Sequence, residues 1–183
     1  LERKGLTSEI ESLGGTIVNY GVIDKLNYSY VSNSNRLKKV TETTSDFVQG
    51  DFDSFKDGLN STDDYDYDNN GNLTKDLNKG ITSITWNHLN LPTEIKFNNS
   101  NSQKINYVYS ADGIKIRKTA NVYGNISTTD YAGKYQYVNN DLKFIRNIDD
   151  GYVYKKANNS FGYAYYYTDQ LDNVRLLYTD AND

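Results

Sequence analysis

Aromatic and apolar residues in this chain alternate with polar ones over short runs, and each run stops at a cluster of Asn, Asp or Gly. Alternation with period two puts every second side chain on one face of a strand. The clusters accept the positive φ angles of tight turns. Two copies of this plan are nearly complete. Tyr65-Asp66-Tyr67 leads through Asn70-Gly71 to Leu73, and Tyr107-Val108-Tyr109 leads through Asp112-Gly113 to Ile114-Lys115-Ile116-Arg117. The second return strand predicts Ile114 and Ile116 on an inward face and Lys115 and Arg117 on an outward one.

Weaker copies run from Tyr28-Ser29-Tyr30 through Asn33-Ser34-Asn35 to Leu37 and Val40, and from Tyr135-Gln136-Tyr137 through Asn139-Asn140-Asp141 to Leu142 and Phe144. A variant is Ile84-Thr85-Trp86-Asn87-His88-Leu89-Asn90-Leu91-Pro92. The second aromatic of each unit falls at Tyr30, Tyr67, Trp86, Tyr109, Tyr137 and Tyr167. The short steps fit one hairpin per unit, and the long first step predicts an insertion. Residues 41–64 are acidic and polar with isolated Phe47, Phe52 and Phe55, which reads as a long loop with one helical turn. Residues 31–35 and 98–102 also read as loops.

A lone two-stranded hairpin is marginal in water, so each unit has to bury its rings against neighbouring units and the sheet has to propagate. Cross-strand aromatic pairs contribute ~0.5–1 kcal/mol each beyond their area. The expectation is one all-β domain of repeated antiparallel β-hairpins over residues 1–183, with the Tyr rings sharing an inner face.

Composition agrees with that class. Eighteen Tyr against six Phe and one Trp place the apolar surface on rings with a polar tip, and thirteen Gly with a single Pro punctuate turns. A net charge of −4 removes the basic footprint that nucleic acid or an anionic membrane requires. No run approaches the ~20 apolar residues of a spanning helix, so membrane insertion is not expected. The absence of Met predicts an internal fragment or processed product whose targeting signal lies elsewhere. With no Cys, disulfide and thiolate chemistry are excluded.

The segments YDYDNNGNLTKD (65–76), ITSITWNHLNLPTEI (81–95), YVYSADGIKIRKT (107–119) and DYAGKYQYVNNDLKFI (130–145) resemble the YD repeats of Rhs proteins of Bacteroidetes type. YTDQLDNVR (167–175), within a C-terminal stretch 163–180, resembles the motif of the family's repeat-associated core region, with Gln170 and Asp172 where members usually have His and Gly. The residues that carry the resemblance are Tyr65, Tyr67, Gly71, Trp86, Tyr107, Tyr109, Gly113, Tyr135, Tyr137, Tyr167, Asp169, Asn173 and Arg175. The resemblance implies a twisted sheet that spirals into part of a hollow β-shell, with this segment near its closing end. It further implies a secreted or bacterial cell-surface protein whose partners are flanking Rhs repeats, in the same or a companion chain, and an enclosed, often toxic, C-terminal polypeptide. Neither cargo nor cleavage residues carry over to positions of this chain.

Chemistry has few anchors. His88, the only His, sits in a strand-to-turn setting that a turn residue explains better than a catalytic base. Zinc lacks ligands, and no cofactor is expected. Asp66, Asp68, Asn70 and Gly71 match the first positions of a calcium loop, but Leu77 occupies the twelfth position where a bidentate Glu belongs, and the hairpin already accounts for these residues. The acidic groups Asp149-Asp150 and Asp51, Asp53 and Asp57 read as solvated loop residues in place of a glycosidase pair. The run Tyr163, Tyr165, Tyr166, Tyr167 reads as sheet packing, with a sugar-stacking platform as the alternative. The functional expectation is therefore a non-catalytic wall segment; the competing reading is an adhesin or carbohydrate-binding module using exposed Tyr rings.

Overall fold

The computed structural model describes residues 2–7, 19–43, 55–58, 61–147 and 151–179. Phe47, Phe52, Asp51, Asp53, Asp149, Asp150 and most of the expected 41–64 loop lie outside them. The described chain is all-β. Strands β1 (Glu2–Thr7), β2 (Asn19–Tyr30) and β3 (Leu37–Glu42) form a three-stranded antiparallel sheet. The others are β4 (Tyr65–Tyr67), β5 (Leu73–Asp76), β6 (Ile81–Trp86), β7 (Pro92–Phe97), β8 (Gln103–Tyr109), β9 (Lys115–Val122), β10 (Asn125–Ala132), β11 (Tyr135–Val138), β12 (Asp141–Asn147), β13 (Gly151–Lys155), β14 (Phe161–Thr168) and β15 (Val174–Thr179). These twelve form one sheet in chain order, each strand beside its sequence neighbour, and the sheet does not close into a barrel. Residues 1–86 with 95–99 make one compact unit, and residues 87–94 with 100–183 make a second.

One turn recurs. At Asp68–Asn72, Asn87–Leu91, Ser110–Ile114, Lys156–Ser160 and Asp169–Asn173, the first residue's N–H donates to the fifth residue's carbonyl, and the fourth residue's N–H donates back to the first carbonyl. The fourth residue has positive φ each time: Gly71 at 88°, Asn90 at 56°, Gly113 at 80°, Asn159 at 68° and Asp172 at 59°. This is a type I turn closed by a left-handed residue; a bulge accompanies it in the pairs β4–β5, β8–β9 and β14–β15, whereas β13–β14 runs in unbroken register. Tyr67 pairs with Leu73 while Asp66 pairs with Lys75, leaving Thr74 over. Tyr109 pairs with Lys115 while Val108 pairs with Arg117, leaving Ile116 over.

That bulge corrects one expectation. Ile114 and Ile116 are both exposed and do not line an inner face, because the extra residue breaks the period of two just where the alternation was read. Lys115 turns over the Tyr107 ring at 4.7 Å. The long loop also begins later than expected, since β3 runs to Glu42. A short 3₁₀ turn is present at Leu77–Lys79, outside the insertion, where the Asp76 carboxylate caps the Lys79 N–H and Gly80 closes the turn at φ 66°.

In the first unit the sheets are tied through Asp64. This residue is fully buried; its carboxylate accepts from the Val40 N–H at 3.0 Å and from Asn78 Nδ2 at 3.3 Å, while its own N–H donates to the Lys38 carbonyl. Leu26, Val40 and Ile84 are the buried hydrophobic residues described in this unit, and Ala164 is the one described in the other.

Candidate functional site

The calcium-like residues do not converge. Asp66 is drawn to Lys75 at 2.6 Å, away from the turn. Asp68 accepts from Asn72 Nδ2 at 2.9 Å and from the Asn72 N–H at 2.8 Å, and these donors hold its carboxyl below the usual carboxylate range. Among the described residues no three acidic or imidazole groups come together as ligands. His88 lies exposed in the turn between β6 and β7, with no carboxylate paired to it among the described interactions. Of the paired-carboxylate candidates only Asp57 is described; it accepts from the Glu42 N–H at 3.3 Å.

Around Tyr65 and Tyr67 the first unit forms an open groove of about 920 Å³, walled by Leu37, Phe55 and Leu73 with Asp76 and Lys79 at its margin. The Tyr67 hydroxyl donates to the Leu37 carbonyl at 2.9 Å, and the Arg36 guanidinium lies over its ring at 5.7 Å. Asn78 donates to the Tyr65 hydroxyl at 3.2 Å. Burial pushes both phenols up from their ordinary value. Trp86 donates its indole N–H to the Leu73 carbonyl at 2.9 Å, so the aromatic of the variant repeat locks β6 onto β5.

In the second unit the register decides where the rings point, because residues directly opposite in an antiparallel pair share a face. Tyr107 pairs with Lys118, Lys118 with Thr129, Tyr131 with Gln136, and Gln136 with Phe144. Tyr107, Tyr109, Tyr131, Phe144, Tyr152, Tyr154 and Tyr166 therefore lie on one face. Phe144 meets Tyr152 edge-on at 5.5 Å, and Tyr152 touches Tyr154 at 6.1 Å and Tyr166 at 6.0 Å. This cluster covers Gly162, where a Cβ would stand 2.5 Å from the Tyr154 ring.

Tyr135 and Tyr137 lie on the opposite face, through the pairs Asp130–Tyr137 and Tyr135–Ile145. Phe161, Tyr163, Tyr165 and Tyr167 follow on that same face through Val153–Tyr163 and Lys155–Phe161. The expectation of one shared inner face thus fails: rings occupy both faces, because the pairing register brings Gln136 and Val138, and not Tyr135 and Tyr137, onto the face of Tyr107. Of the run Tyr163, Tyr165, Tyr166 and Tyr167, Tyr166 packs against Tyr152, whereas the other three are exposed. Tyr163 and Tyr165 stack at 6.5 Å, and Tyr165 stacks on Tyr178 at 5.3 Å. Tyr178 and Phe161 extend the row and were missed; the spacing of two that puts Phe161 in phase with Tyr163, and Leu176 with Tyr178, was the available signal.

The 167–175 motif is the β14–β15 turn. Asp169 accepts from the Leu171 N–H at 2.9 Å, the Asn173 N–H at 3.0 Å and the Arg175 guanidinium at 2.6 Å, and its carboxyl is held below the usual range, first by the Leu171 amide. Asp172 occupies the left-handed position at φ 59°, a conformation that Gly adopts without steric cost. No protein-family model, curated protein or solved structure matches this chain.

Proposed function

We propose that this chain is a non-catalytic structural segment of a secreted or surface Rhs-type protein, forming part of the wall or closing end of a β-shell around a C-terminal polypeptide. The carrying observation is how little the chain buries by itself. Four hydrophobic residues are buried among those described and twenty large ones are exposed, so the sheet needs further protein to cover it. Strands in chain order, five of their connections made by the same hairpin device, suit a wall that grows by adding units. The test compares the 183-residue chain with a longer version of its parent. The chain alone should bind a hydrophobic dye and be cleaved readily, and the longer protein should lose both properties while shielding its C-terminal polypeptide from protease. Equal exposure in the two, or flanks without repeats, would overturn the reading.

A second reading, an adhesin-type or carbohydrate-binding module, draws on the exposed row Tyr163, Tyr165 and Tyr167. It predicts binding by the isolated chain that is lost when those rings are removed.

A further inference from the structure

We infer that the ring row on β14 and β15 is a docking face for a second copy of this chain, formed by Phe161, Tyr163, Tyr165, Tyr167, Leu176 and Tyr178. This does not depend on the shell reading. All six residues share one face, through the pairs Lys155–Phe161, Tyr165–Tyr178 and Tyr167–Leu176. Their exposure runs from 40% at Tyr165 to 67% at Tyr167. With 150–250 Å² on an aromatic side chain, they offer about 600 Å² of apolar surface. Two copies placing this patch on itself would bury about 1,200 Å², the lower bound for a stable interface.

The chemistry suits a copy better than a sugar. A sugar platform needs ring faces turned outward, whereas Tyr165 stacks near-parallel on both Tyr163 and Tyr178, at 20° and 23°. What remains outward is an uneven apolar surface of the kind that packs against another sheet about 10 Å away. A two-fold axis makes the patch its own partner. The charges at its margins are already paired: Asp141 holds Lys155 at 2.7 Å and Lys143 at 2.8 Å, and Asp169 holds Arg175. An uncharged aromatic centre inside a margin of paired charges therefore meets its copy without like-charge repulsion.

Sedimentation velocity on the 183-residue chain, from about 1 to about 100 µM, is the test. A monomer–dimer equilibrium is expected. Tyr163→Arg should weaken it by about 30-fold or more, as loss of a central aromatic anchor does. Tyr167→Arg is a second variant that leaves the Tyr163–Tyr165–Tyr178 stack in place, so a folding defect in the first does not decide the outcome. Ile114→Arg, on an exposed turn away from the row, should leave dimerisation unchanged. A chain that stays monomeric throughout, or a dimer indifferent to both ring variants, would overturn the inference. So would a monomer whose tyrosine fluorescence changes on adding cello-oligosaccharides, which would make the row a sugar site.

Discussion

The carboxylate of Asp64 accepts the Val40 backbone N–H at 3.0 Å inside the first unit, tying the strand of one sheet to the start of the next. A buried N–H deprived of its acceptor costs about 1–3 kcal/mol. Asp64→Ala is expected to destabilise the first unit by that amount, and Asp64→Asn, which keeps an acceptor oxygen, by less. Urea unfolding followed by hydrogen exchange at Val40 measures both.

Gly151 and Gly162 have no room for a side chain. A Cβ on Gly151 would stand 1.9 Å from the Ala164 carbonyl oxygen, at a φ of 140°. Gly151→Ala should destabilise the hairpin β13–β14 by roughly 2–4 kcal/mol, through backbone strain added to overpacking. Lost amide protection confined to residues 143–166 would be the signature; an unchanged melting temperature would refute the packing described.

The left-handed fourth position of the recurring turn is filled by Gly at two hairpins and by Asn or Asp at three. Asp172→Gly and Asn159→Gly should therefore be neutral or stabilising by up to about 1 kcal/mol, while Gly113→Ala should cost about 1–2 kcal/mol. Thermal melts of the three variants rank them, and a destabilising Asp172→Gly would show that the Asp side chain does more than tolerate the turn.

Acid should act at the hairpin ends. Lys143, then Lys155, hold the Asp141 carboxyl down at about 2, and Asp68 and Asp169 are also depressed by turn donors. A carboxyl depressed on folding adds stability above its unfolded value near 4 and loses it as pH falls through its folded value. Stability should thus decline from about pH 4 towards pH 2, with the Asp141 contribution lost last. Lys143→Ala should raise the Asp141 carboxyl, as read from its carbon chemical shift against pH.

The hairpins were legible in the sequence because their signals are local. Alternation, followed by Asn70-Gly71 or Asp112-Gly113, specifies two strands and the turn between them within about twelve residues, and the strands appear there. The loops at 31–35 and 98–102 were legible for the same reason. Asp64 was not, because a buried carboxylate in an acidic stretch looks like every solvated one until the strand that donates to it is in place.

What the sequence determined by itself was class and punctuation: all-β, hairpin after hairpin, turning at Gly, Asn and Asp. The tertiary structure alone decided which face each ring takes. A bulge after a turn adds one residue to one strand, and that single residue moves every following side chain to the other side of the sheet. Tyr107 and Tyr135 obey the same local pattern and end on opposite faces, since pairing register is a relation between strands and no single strand encodes it.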